Sequence, residues 1–63
     1  MKIANFHDNM NPAQEVYIDA DDFSNVVPFV TGSIIRVKSS DSPILVHESP
    51  NEVIQIIQDA LES

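Results

Sequence analysis

Asp19, Asp21 and Asp22 are the densest group of possible ligands in the chain. A calcium loop of the EF-hand type needs oxygen ligands at alternate positions, a glycine at the sixth and a glutamate at the twelfth. Counted from Asp19, those places hold Ser24 and Val30, so the motif fails and the acids read as a capped, solvated turn. His7 and His47 are the only histidines. Neither has a neighbour at metal-ligand spacing on a helix, and a structural zinc site wants four ligands. His47 and Glu48 offer a base and a carboxylate for hydrolysis, but no G-x-S-x-G and no phosphate loop accompanies them. A chain this short also has little room for a deep pocket. The expectation is a protein that is not an enzyme, with no catalytic residue, no cofactor and no metal.

The elements that position these residues are clearest near the C-terminus. The run Pro43-Ile44-Leu45-Val46-His47 is apolar and strand-like, and Ser49-Pro50-Asn51-Glu52 follows almost at once. Ser49 is an N-cap, Pro50 brings a preset φ to the first helical position, and Glu52 completes a capping box. Val53, Ile54, Ile56, Ile57, Ala60 and Leu61 then repeat at three and four, which makes one wide apolar stripe. Isoleucine and valine have modest helix propensity, so packing has to hold this helix.

Upstream, residues 2–7 alternate as a short edge strand, and Asp8–Gln14 is rich in turn formers. Glu15-Val16-Tyr17-Ile18-Asp19 is a second strand, with Val16 and Ile18 on one face. Asp19 is an N-cap for one helical turn, and Phe23 pins that turn to the core. In Val26-Val27-Pro28-Phe29-Val30, Pro28 cannot donate to a ladder and marks an edge strand, a strand end or a bulge. Thr31-Gly32 is a turn, and Gly32, the one glycine, is the candidate for positive φ. Ser33–Lys38 alternates most clearly. Ile35 and Val37 should face the helix, and Ile34, Arg36 and Lys38 should face away. After a polar turn over Ser39–Ser42, the last strand begins at Pro43. Leu45 and His47 share one face there, with Ile44 and Val46 on the other.

These elements give a single α+β domain over residues 1–63: a small antiparallel sheet of four to five strands, covered on one face by a C-terminal amphipathic helix. The expected core is Phe6, Val16, Ile18, Phe23, Val27, Ile35, Val37, Leu45, Val53, Ile56, Ile57 and Leu61. One helix covers only one face of a sheet. The other face is expected to display Ile34, Ile44 and Val46 beside Arg36 and Lys38, and exposed apolar clusters of this kind mark association.

Composition narrows the partners. Sixty-three residues make a domain of marginal stability, and without cysteine it has no disulfide or thiolate site. Oligomerisation is one remaining way to add stability. Ten acidic residues against three basic ones give a net charge of −7. Lys2, Arg36 and Lys38 are too few for a nucleic-acid footprint or for binding an anionic membrane surface. The N-terminal Met1–Asp8 stretch has no apolar core of a signal peptide, and no run approaches the length of a membrane span. The expectation is a cytoplasmic protein that binds a protein partner or itself as a homo-oligomer, with no direct nucleic-acid or membrane binding. The alternative use of the acidity is a decoy of phage or plasmid origin that mimics nucleic acid, favoured if Asp8, Glu15, Asp19, Asp21, Asp22, Asp41 and Glu48 cluster on one surface.

Two stretches, Val16-Tyr17-Ile18-Asp19-Ala20-Asp21 and Leu45-Val46-His47-Glu48-Ser49-Pro50-Asn51-Glu52-Val53-Ile54, carry a resemblance. The chain from Glu15 onward resembles the FlbD-like flagellar and swarming-motility proteins of bacteria. These have a short strand, a turn with Asp, a hairpin, and a valine-rich strand that runs into an acidic, serine-capped amphipathic helix. The resemblance implies a fold and no catalytic residues. The chain departs from it at Ser39-Ser40-Asp41-Ser42, where the family has an Asn-Gly type of turn, and at Pro28. The segment Ile44–Gln58 also resembles the carbon-storage regulators, small RNA-binding dimers. Those need arginines and a basic surface where this chain has His47-Glu48, so an RNA-binding role is rejected.

Overall fold

The computed structural model describes residues 2–63; Met1 of the N-terminal stretch lies outside them. The chain is α+β, with two small antiparallel sheets and one C-terminal helix. Strands β1 (Ile3–His7) and β2 (Glu15–Asp19) form a hairpin. A 3-10 turn, Ala20–Asp22, leads into the meander β3 (Phe23–Phe29), β4 (Gly32–Val37) and β5 (Ser40–Val46). Helix α1 (Pro50–Glu62) closes the chain.

The single sheet of four to five strands is corrected to sheets of two and three strands. Backbone pairing between the hairpin and the meander gathers at one corner. There an isolated bridge joins Asp8 to Val46, and the His47 amide donates to the His7 carbonyl at 2.8 Å. Both sheets then present their apolar sides to α1, and Ala4, Phe6, Ile18, Ala20, Ile35, Val46, Val53, Ile57 and Ala60 form the common core.

Local chemistry explains the joints. The Asp19 carboxylate accepts the Asp21 amide at 3.1 Å and caps the 3-10 turn. At α1, Ser49 Oγ accepts the Glu52 amide and Glu52 Oε1 accepts the Ser49 amide, which completes the capping box. At the far end, Lys2 Nζ donates to the carbonyls of Leu61 and Ser63 at 2.7 and 2.9 Å. A cation there complements the negative end of the helix dipole. Gly32 has φ +144, and a Cβ at that position would overlap the Val46 carbonyl oxygen. The turn is one residue earlier than expected, and Gly32 is the first residue of β4 rather than its apex. Likewise the second hairpin turns at Lys38-Ser39, so β5 begins at Ser40 and Pro43 sits inside it.

Two strand facings differ from expectation. Val27 is 42% exposed, and Val26 packs on the core in its place. A bulge between Phe23 and Asn25 adds one residue to β3, and a one-residue slip exchanges the faces of everything beyond it. On β5, Val46 is 0% exposed and Ile44 packs on the core, while Leu45 takes the outer face. The run Ile44-Leu45-Val46 is apolar at every place, so alternation alone cannot assign its sides. The pairing assigns them: Val46 lies opposite the buried Ser33 and Ile44 opposite the buried Ile35. Leu61, expected in the core, is 40% exposed at the edge of the helix stripe.

Candidate interaction surface

The sheet β3–β4–β5 has one face on the core and one outward. Pairing places Val27 opposite Ile34 and Ile34 opposite Leu45, so these three form an apolar row across the outer face. Phe29, 41% exposed, stands one row away beside Gly32. The row on the other side begins Asn25–Arg36. Lys38 follows in the β4–β5 turn and is exposed.

Of the five residues expected at this surface, Ile34 and Arg36 lie on the outer face and Lys38 beside it. Ile44 and Val46 do not: they point inward, and Val46 is core. Val27, Phe29 and Leu45 belong to the surface and were not assigned to it. A signal for the first two was present, because five successive apolar residues, Val26 to Val30, cannot all face one side of a strand that alternates. Leu45 required the register with Ile34, which only the paired strands reveal.

The charge around this face is uneven. Among the described residues the Arg36 and Lys38 side chains make no hydrogen bond or ion pair, while Lys2 is engaged at the end of α1. The acids are mostly occupied. Asp8 accepts the amides of Met10 and Asn11, and Asp22 accepts from Ser39. Glu15 accepts from Asn5 and from the Tyr17 hydroxyl. Those two bonds, Asn5 first, hold the Glu15 carboxyl below its ordinary value, and the same contact raises the Tyr17 hydroxyl. The Ser49 backbone amide, followed by the Ser49 side chain, holds Glu52 below its ordinary value.

A second cluster lies at the corner between the sheets. Glu48 is 8% exposed. Its carboxylate accepts the His7 amide at 3.0 Å and pairs with His7 Nδ1 at 2.6 Å. The buried Ser33 hydroxyl donates to the Glu48 carbonyl at 2.8 Å. Odd-numbered residues of β1 point their amides away from β2, as the Asp8-to-Gln14 bond on the even side requires. Glu48 therefore stands in for a missing strand carbonyl. Among the described residues no group of three or more His, Asp or Glu side chains converges as a metal would need, and none lines an enclosed pocket. Among the described residues no helix is long and apolar enough to cross a membrane.

Set against family models, curated proteins and solved structures, the chain matches none of them.

Proposed function

We propose that this chain is a small, non-enzymatic interaction or regulatory module of the bacterial cytoplasm that self-associates through the outer face of the β3–β4–β5 sheet. The observation that carries this is the Val27–Ile34–Leu45 row. It is contiguous across three strands, it faces away from α1, and Phe29 extends it. Apolar residues gathered in this way mark contact surfaces, whereas single exposed ones do not. The small size of the domain gives association a second purpose, since it adds stability. Membership of the FlbD-like family belongs to the same proposal and rests on Val16–Asp21 and Leu45–Ile54, the residues that raised it.

The decoy alternative draws less support. Of the seven acids that would have to mimic phosphates, Asp8, Glu15, Asp19, Asp22 and Glu48 are hydrogen-bonded within the fold. Acids held in turns, caps and seams leave little for a basic partner to bind.

Sedimentation velocity over a concentration series tests the proposal. The mass should rise with concentration, and Ile34→Glu should abolish the rise while the far-UV spectrum stays native. A strict monomer up to about 1 mM, the weak end of measurable association, would count against it.

A further inference from the structure

Charge decides what sits on the outer sheet face. Arg36 and Lys38 flank the apolar row with no partner among the described residues, in a chain whose net charge is −7. Two copies packed sheet to sheet would bring these cations together, and like charges brought together at a contact oppose it. A surface of opposite character exists on the same chain. Helix α1 contains no Lys or Arg and carries Glu52, Asp59 and Glu62. Lys2 already caps the negative end of the helix dipole, so the acidic character rests on these side chains. Ile54 and Leu61 are 39% and 40% exposed, and they lie seven residues apart on one stripe beside the buried Val53–Ile57–Ala60 side.

The dimensions agree. Seven helical residues rise about 10.5 Å. Val27, Ile34 and Leu45 lie on three adjacent strands and span about 10 Å. Resting on the reading of this face as an association surface, we infer that its occupant is α1 of a second copy of this chain. The Ile54–Leu61 stripe lies along the Val27–Ile34–Leu45 row, and Arg36 and Lys38, to one side of that row, meet the flank of the helix that carries Asp59 and Glu62. Such a contact is heterologous. Each copy keeps one free sheet face and one free helix, so assembly proceeds head to tail instead of stopping at a two-fold dimer. The patch is smaller than a standard interface, so the contact is weak and shows at high concentration.

Two full-length variants test this. Arg36→Glu/Lys38→Glu spoils the sheet face and keeps the helix. Ile54→Glu/Leu61→Glu spoils the helix and keeps the sheet face. Both alter exposed positions, and thermal melts followed by circular dichroism verify that each folds. In sedimentation, the unaltered chain should grow beyond a dimer, each variant alone should be monomeric, and an equimolar mixture should give a 1:1 heterodimer that grows no further. Amide shifts of the unaltered chain supply a measurement free of variants: Ile54, Leu61, Val27 and Ile34 should move together on concentration. If the helix variant still associates like the unaltered chain while the sheet variant does not, the helix is not the occupant and the sheet-face proposal survives alone. If both variants are monomeric but no heterodimer forms, the head-to-tail contact is wrong. A monomeric unaltered chain removes both proposals.

Discussion

Replacing Glu48 with alanine should weaken this domain more than any other single loss of a charged residue. The carboxylate accepts two hydrogen bonds from His7, on the backbone amide at 3.0 Å and on Nδ1 at 2.6 Å. Glu48→Ala leaves the His7 amide facing away from β2 with no acceptor. A hydrogen bond to a charged group contributes about 1.5–3 kcal/mol. The imidazole is half exposed, so its share is about 0.5–1 kcal/mol, as for surface pairs. The expected loss is therefore about 2–4 kcal/mol. The whole domain has about 3–9 kcal/mol at the usual stability per residue. At this size each kcal/mol moves the melting temperature by about 4–8 °C, so Tm should fall by at least about 8 °C. Glu48→Gln is the control. Its amide oxygen still accepts the His7 amide, and its NH₂ can donate to Nδ1 once the imidazole proton moves to Nε2. That variant should lose about 1 kcal/mol. Urea denaturation at neutral pH, followed by far-UV circular dichroism, measures both. If the alanine variant stays within about 0.5 kcal/mol of the parent, or if glutamine is as damaging as alanine, the seam role assigned to Glu48 is wrong.

Gly32→Ala should cost about 2–6 kcal/mol, combining the strained φ with overlap on the Val46 carbonyl, and the variant should be largely unfolded by amide dispersion in proton NMR. Ser49→Ala removes one half of the capping box and should cost about 0.5–2 kcal/mol in a thermal melt. The Glu15 and Glu52 carboxyls are held below their ordinary value in the fold. A depressed folded value means their contribution is full above the unfolded value of 4.5 and is lost as pH falls through the folded one. Stability should therefore decline on acidification below that point, and Glu52→Gln, which can still cap, should flatten part of the slope. Val46→Ala should cost about 1–3 kcal/mol by leaving a core cavity, whereas Val27→Ala, two strands away and outward, should stay within about 1 kcal/mol.

The parts of this fold that were legible in the sequence are those set by neighbours along the chain. The Ser49–Glu52 box, the Asp19 cap, the special backbone at Gly32 and the inward side of Ile35 each follow from a few adjacent residues. The parts that were not legible depend on distant partners. Glu48 looks like an ordinary strand-end acid until His7, forty-one positions earlier, is folded against it. The β3 bulge has no glycine to announce it, and it moves Val27 out of the core. The candidate surface was half legible for the same reason. Ile34 and Arg36 lie on a strand with clean alternation, whereas Ile44 and Val46 lie on one with none.

The extra residue at the β3 bulge decides which side of the apolar run Val26–Val30 faces outward. With Ser24 looped out, and equally with it deleted, Val27 and Phe29 stay outward; with Ser24 paired into an unbroken pleat from Phe23 onward, Val27 and Phe29 would fall inside and Val26 and Pro28 outside. The amino-acid inventory of the apolar run would be unchanged, yet the surface offered to a partner would be a different one. Whether one residue is looped out there sets recognition without altering a single side chain of the patch.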